Sequence, residues 1–294
     1  MRVLITGATG FLGSRLARAL ANTGVEVVVL RRYSSRLDRL QDLVDRLEFH
    51  ATSNEGMVEA FGSEKRCDAI IHAATCYGRA NESWDALNEA NVSFPLRLLE
   101  KSLEHKVGIF LNVDTALNPT VSAYALSKHQ FADWGRMAAM NSDSFHFINA
   151  RLEHFYGPED NREKFVTALI RQCLANTKHI PLTQGTQKRD FIYVDDAVSG
   201  VTQLLQAGHT GQISTGYSEF DIGSGCAITI RSFAELVHRL CDSRANLHFG
   251  AVPYRANECM ESMPNILPIK ALGWKPEIAL EEGLMHTINM ERHR

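Results

Sequence analysis

The chain has 294 residues, 45% of them hydrophobic and 22% charged, with a formal net charge of −3. The composition is ordinary for a globular protein, and the length suits one large α/β domain or a domain with a smaller lobe. A charge this close to neutral gives no basic face for nucleic acid or an anionic membrane, and no apolar run approaches the ~20 residues of a membrane helix.

The chain opens on a strand, Arg2-Val3-Leu4-Ile5-Thr6, with no charged-then-apolar leader before it, so a cytoplasmic location is expected. Residues 12–20 have helical spacing. Residues 25–30 (Val-Glu-Val-Val-Val-Leu) form a β-branched run of strand length. Further buried strands are predicted at 47–50, 69–73, 107–113 and 145–150, with helical stretches around 83–103 and 121–140. Continuous apolar strands separated by helices imply a parallel sheet covered on both faces, with the loops after the strands along one edge. The expected fold is therefore α/β, a Rossmann-type doubly wound parallel sheet over residues 1–150.

Beyond Arg151 the rhythm changes. Gly157-Pro158 breaks the chain, 164–175 is helical, and 191–194 and 220–222 are short strands. Residues 232–240 form an amphipathic helix with Phe233, Leu236, Val237 and Leu240 on one face. Residues 151–294 read as a smaller C-terminal substrate-binding lobe whose segments partly return to the first sheet.

Between the first strand and first helix stands Thr6-Gly7-Ala8-Thr9-Gly10-Phe11-Leu12-Gly13. Glycines there let backbone N–H groups approach a pyrophosphate, and the positive end of the next helix stabilises its charge. Gly7, Thr9, Gly10, Phe11, Leu12 and Gly13 are thus expected to bind a dinucleotide. The second strand runs into Leu30-Arg31-Arg32-Tyr33-Ser34-Ser35-Arg36, with no acid until Asp38. An acid would bond a ribose 2′-hydroxyl, whereas guanidinium groups bind a 2′-phosphate, so Arg31 and Arg32 favour NADP(H) over NAD. Arg36 reads as a solvated helix start.

After the 107–113 strand come Asp114-Thr115 and then Ser122-Ala123-Tyr124-Ala125-Leu126-Ser127-Lys128. On a helix, Tyr124 and Lys128 are one turn apart and share a face. A phenol is a poor acid or base until a neighbouring cation stabilises its phenolate, and Lys128 is placed to supply that charge and to reach the nicotinamide ribose. Thr115, at the end of its strand, is placed to present a hydroxyl to the same reacting oxygen. The six cysteines (67, 76, 173, 226, 241 and 259) make no Cys-x-x-Cys pair, and no His cluster has metal-ligand spacing. They read as reduced and buried, with a reactive thiol at Cys76 as the functional alternative, and no metal is expected.

On these motifs the chain resembles an extended short-chain dehydrogenase/reductase of the NAD-dependent epimerase/dehydratase family. The likeness adds Ile71-His72-Ala73-Ala74, Asn91-Val92, Tyr156-Gly157-Pro158, Arg189-Asp190-Phe191-Ile192-Tyr193-Val194-Asp195-Asp196 and Leu272-Gly273-Trp274-Lys275-Pro276, and spans nearly the full length. It implies a nucleotide-sugar substrate, a catalytic Thr115, Tyr124 and Lys128, an Ala73-Ala74 backbone against the cofactor, and Arg189 and Arg255 near the nucleotide diphosphate. Against these roles, Arg189-Asp190 reads equally as a local ion pair, Arg255 as a partner of Glu258, His72 as a satisfied core histidine, and Asn91 as a backbone ligand. Dehydratases of the family carry Asp-Glu after the catalytic Thr; Ala116-Leu117 stand here and cannot do acid–base work. Asn118-Pro119 replaces a familiar Tyr-Gly. Where the family has Arg-x-x-Asn, this chain has Arg151-Leu152-Glu153-His154, so His154 either faces the sugar or is a structural substitution.

An NADP preference points to net reduction. Residues 112–115 and 124–128 also resemble reductases of CDP- or dTDP-linked 4-keto-6-deoxyhexoses. The expected activity is NADPH-dependent reduction of such a sugar in deoxysugar biosynthesis. The rivals are an NAD-dependent 4-epimerase and a non-catalytic NADP-binding protein. Helices at 83–103 and 121–140 suit a homodimer or, equally, the sheet they cover.

Overall fold

In the computed structural model, which describes residues 1–62, 66–255 and 257–293, the first half alternates strand and helix. The order is β1 (Arg2–Thr6), α1 (Phe11–Asn22), β2 (Glu26–Arg31), β3 (Leu47–Ala51), α2 (Asn54–Phe61), β4 (Ala69–His72), α3 (Trp84–Asn88), α4 (Phe94–Glu104), β5 (Ile109–Thr115), α5 (Ala123–Met140) and β6 (His146–Leu152). The second half adds β7 (His154–Tyr156), α6 (Phe165–Leu174), β8 (His179–Leu182), β9 (Lys188–Tyr193), α7 (Val194–His209), β10 (Gly216–Ile222), β11 (Ala227–Thr229), α8 (Ile230–Leu240), β12 (Asn246–Phe249), α9 (Leu267–Ala271) and α10 (Leu280–Arg292).

Seven strands form one sheet in the order β10-β6-β5-β4-β1-β2-β3, every pairing parallel. The order reverses direction between β1 and β4, which opens a crevice at the carboxyl ends of those strands. Side chains of β1 alternate between two cores. Val3 and Ile5 join α1 and α7 on one face, and Leu4 joins α2, α4 and α5 on the other. The doubly wound parallel sheet expected from the strand runs is thus observed.

Strand β10 lies far along the chain yet pairs with β6 from Gly216↔His146 to Ile222↔Leu152. Two small sheets, β11-β9-β7 and β12-β8, complete the second half. Among the described residues no helix is long and apolar enough to cross a membrane.

Two local expectations need correction. The stretch 83–103 is not one helix: α3 and α4 are joined by a π-helical turn, Glu89–Ser93, with Pro95 just inside α4. Nor are the cysteines uniformly buried. Cys67, Cys173 and Cys241 are, whereas Cys76 and Cys259 are half-buried and Cys226 is exposed, because these three sit in loops around the clefts rather than in the two cores.

Candidate active site

The loop after β1 is shaped by contacts that no side chain could share. Gly7 has φ of +73°, and a Cβ on it would lie 2.6 Å from the Ala73 carbonyl carbon and the Ala74 nitrogen. A Cβ on Gly13 would lie 2.1 Å from the Gly7 oxygen, so the turn and the first turn of α1 meet backbone to backbone. Gly10 caps α1 without a side chain to occupy its first-turn N–H groups. Those groups open onto a cleft of about 750 Å³ lined by Gly7, Thr9, Gly10, Phe11, Leu12, Gly13, Arg31, Arg32, Ala73, Ala74 and Tyr124.

At the β2 end, Arg31 holds its guanidinium against the carbonyls of Arg32, Tyr33 and Ser35 at 3.3–3.4 Å and over the Phe49 ring, and its buried Nε has no partner. Arg32 is exposed beside it. Asp38, the first acid, is turned away in an exposed pair with Arg36 at 2.9 Å. Arg39 also lines the cleft, bonds the Glu159 carbonyl at 2.7 Å and has a buried, unpartnered Nε. No motif or spacing pointed to Arg39, which reaches the cleft across a non-helical turn.

Helix α5 begins at Ser122, whose hydroxyl accepts from the Ala125 N–H at 3.1 Å. This cap sets Tyr124 at the cleft, with Lys128 one turn on and 1% exposed. Thr115, buried at the end of β5, accepts from the Leu117 N–H at 3.2 Å and bonds the Tyr124 hydroxyl.

The charge pattern corrects the expectation that Lys128 acidifies Tyr124. Burial pushes the Tyr124 phenol well above its ordinary value, and Tyr77 and Asp114 push it further; Thr115 and Arg79 only partly oppose this. Burial likewise pulls the Lys128 ammonium down, with Asp114 holding it up. Desolvation is the leading cause for both groups. Lys128 Nζ has no hydrogen-bond partner among the described residues, so this buried cation has room for hydroxyl acceptors. A nicotinamide dinucleotide fits these residues: the glycine cradle suits its pyrophosphate and Lys128 its ribose hydroxyls.

Other side chains complete the cleft. Asn91, brought inward by the π-helical turn, accepts from the Cys76 N–H at 2.8 Å and the Thr75 hydroxyl at 3.1 Å. It donates to the Cys76 carbonyl at 2.8 Å and to Ser127 at 2.9 Å. His72 shares a 2.7 Å hydrogen bond with Thr6, is ringed by Phe94, Phe110 and Phe131, and is held neutral chiefly by burial. Its Nε2 lacks a partner, so it is only half satisfied as a core histidine. Burial raises the Cys76 thiol, 3.5 Å from Glu82, which argues against a reactive thiolate.

Tyr77, Arg79, Asp160, Asn161 and Lys164 also line the cleft, and sequence reasoning missed them. The Asp160–Lys164 pair at 2.9 Å was readable as an i,i+4 spacing. Tyr77 and Arg79 sit in a loop without periodicity.

The three expected substrate residues do not line this cleft. His154 lies 3.3 Å from Glu153 and packs on Phe191. Arg189 is buried and paired with Glu258 at 2.5 Å. Asp190 instead accepts from Ser224 and Cys226, so Arg189 and Asp190 are not partners. Glu258 therefore serves Arg189 and not Arg255, which is exposed.

A profile of the NAD-dependent epimerase/dehydratase family matches residues 3–223. The CDP-abequose synthase of Salmonella typhimurium is 32% identical over 292 residues, which cover 96% of this chain and 95% of that protein. The CDP-abequose synthase of Salmonella muenchen is 29% identical over 99% of this chain and 98% of its own. Among solved structures, the UDP-glucose 4-epimerase of Thermotoga maritima with UDP-glucose superposes with a TM-score of 0.85 over 100% of this chain and 99% of that one. At 24% identity this is a likeness of fold. The glycine cradle, the parallel sheet and the match from Val3 to Gly223 converge: the chain belongs to the NAD-dependent epimerase/dehydratase family.

Proposed function

We propose that this protein is a cytoplasmic reductase that uses NADPH to reduce the 4-keto group of a CDP- or dTDP-linked 6-deoxyhexose in deoxysugar biosynthesis. The observation that supports this reading is the Tyr124 phenol in the lining of the dinucleotide cleft, with Thr115 beside it and inert Ala116 and Leu117 following. A phenol carries its proton at neutral pH and can give it to a carbonyl oxygen that gains charge, the role reduction needs. The relatives' names specify a CDP-linked sugar, in keeping with a nucleotide-sugar substrate.

In this mechanism Tyr124 donates its proton to the C4 oxygen as that oxygen gains negative charge. Thr115, which bonds the phenol in the ligand-free site, would turn its proton to the same oxygen as a second hydrogen bond. Lys128 bonds the ribose hydroxyls and stabilises the phenolate left on Tyr124. When bound, a reduced nicotinamide would supply the hydride. Arg31 and Arg32 favour the cofactor that carries a 2′-phosphate, and Arg39 adds a third guanidinium. His154 and Arg255 lie outside the cleft lining, so a contact with the sugar or the diphosphate would be made beyond it, and the charge of Arg189 is already met by Glu258.

The test is NADPH consumption across CDP-, dTDP- and GDP-linked 4-keto-6-deoxy sugars, with NADH as control. Oxidation of NADPH with a 4-hydroxy product is expected. Interconversion of sugars without net NADPH use identifies a 4-epimerase, and binding without turnover identifies a non-catalytic dinucleotide-binding protein; either overturns the proposal.

A further inference from the structure

The strand register lays a row of polar side chains across the sheet: Thr6↔His72, His72↔Asn112, Asn112↔Asn149 and Asn149↔Glu219. Two residues earlier on the same face, the corresponding row is apolar, with Leu4, Ile70, Phe110 and Phe147. Packing under α5 therefore does not require amides here, and burying two of them is unfavourable unless their hydrogen bonds are made. Asn112 and Asn149 are fully buried. Asn112 Nδ2 donates to Asn149 Oδ1 at 2.8 Å, and Asn149 Nδ2 donates to Asp114 Oδ2 at 2.9 Å and to Glu219 at 3.1 Å. The other Asp114 oxygen accepts from the Thr115 N–H at 2.7 Å. Both oxygens are thus fixed by donors.

This carboxylate shares its face of β5 with Phe110, whose ring meets Phe131 of α5 at 5.8 Å, and it lines the cleft beside Tyr124. Lys128 is buried on the same helix without a hydrogen-bonded acceptor. The groups facing it are Asp114 from β5, neutral His72 from β4 and the Tyr124 phenol one turn back. Beyond Asn149, Glu219 of β10 is matched by Arg151 of β6 at 2.8 Å. Asp114 is the negative charge that acts on Lys128, and Arg151 acts on Asp114 in turn. We propose that Asp114 is a positioning residue, the fixed counter-charge that keeps Lys128 an ammonium, and that Asn149, steadied by Asn112, aims it.

A carboxylate at this point acts on both members of the pair in one direction. It favours a protonated lysine and disfavours a deprotonated tyrosine, so the site rests with both protons in place. Such a phenol keeps its proton until an oxygen beside it gains negative charge, which leaves Tyr124 a donor and not a base. The directional part rests on the reductase reading; the charge relationship between Asp114 and Lys128 does not.

The experiment follows the Lys128 side chain by NMR in the full chain labelled with 13Cε-lysine, its signal identified by its loss in Lys128→Arg. In Asp114→Asn the Lys128 titration midpoint is expected to fall by about 1–3 pH units. The double variant Asp114→Asn/Asn149→Asp lets the amide donate to a carboxylate again but moves the charge one strand away, so its midpoint should fall between the two. The alkaline limb of NADPH consumption should move down by the same amount as the NMR midpoint. A midpoint unchanged in both variants overturns the proposal, as does a loss of thermal stability alone. Failure to reduce any 4-keto sugar strikes the proposed function and leaves the NMR comparison intact.

Discussion

The rings of Tyr77 and Tyr124 meet 4.9 Å apart, inclined by 35°, so a loop residue after β4 covers the phenol at the head of α5. Each phenol is pushed up chiefly by burial of its hydroxyl, that of Tyr77 to about 12, and Tyr77 raises Tyr124 further. Arg79 rests 4.9 Å from the Tyr77 ring and Lys164 5.7 Å from it. Two cations and two phenols thus share one wall of the cleft.

Tyr124→Phe removes the proposed proton donor and leaves the ring contact with Tyr77. Turnover of a 4-keto sugar should fall about 10²–10⁴-fold, with dinucleotide affinity unchanged by fluorescence titration. A variant that keeps most of its turnover would remove Tyr124 from the mechanism.

The double substitution Arg31→Ala/Arg32→Ala should weaken NADPH about 10–100-fold, as lost charge-assisted hydrogen bonds require, and leave NADH unaffected. Equal losses for the two dinucleotides would show that these guanidiniums do not read the 2′-phosphate. Direct binding measurements, independent of turnover, decide it.

Lys128→Met should abolish reduction and stabilise the ligand-free protein by no more than about 1 kcal/mol at neutral pH, because a cation without a hydrogen bond leaves the interior but Asp114 loses the charge it faces. Asp114 keeps its two hydrogen bonds in that variant. The sign of the pH dependence follows from the lowered lysine pKa. Below the folded-state value the wild type bears the whole burden of burial. As pH rises from there toward 10.5, the unfolded chain holds the extra proton and the native state gains. The advantage of Met should therefore shrink across that window in thermal melts.

Gly13→Ala places a methyl 2.1 Å from the Gly7 oxygen, where only backbone can give way. A loss of about 1–3 kcal/mol is expected, together with a dinucleotide affinity too weak to measure. Wild-type binding by this variant would mean that the cradle relaxes.

Along α5, Trp134, Met137 and Met140 stand exposed, the last at 80%. An apolar stripe of this kind suits a second copy of the chain, so light scattering should report twice the monomer mass. Met137→Glu should halve it without altering the thermal melt of the monomer.

Much of the fold could be read because the parallel strands are near-continuous apolar runs ending in glycine or polar loops, as in Val27, Val28, Val29 and Leu30 before Arg31. The cradle was legible for a related reason, since Gly7 and Gly13 answer to backbone contacts that admit no other residue. Burial was not. Spacing put Lys128 one turn from Tyr124, but whether proximity or desolvation governs the phenol depends on Tyr77 and Asp114, which arrive from other parts of the chain. The partner of Arg189 was equally hidden, since Glu258 is separated from it by 69 residues. The π-helical turn at Asn91 left no signature because its cause is the set of acceptors and donors around Cys76 and Ser127.

Strand β10 has a mechanical consequence. Its seven-residue parallel ladder with β6 sews the late part of the chain into the same rigid sheet that carries Thr115. A hinge between the two halves would have to tear that ladder, so adjustment to an arriving sugar nucleotide falls to the rim: the Tyr77–Arg79 loop, the turn around Asp160, and the segment bearing Arg255 and Glu258.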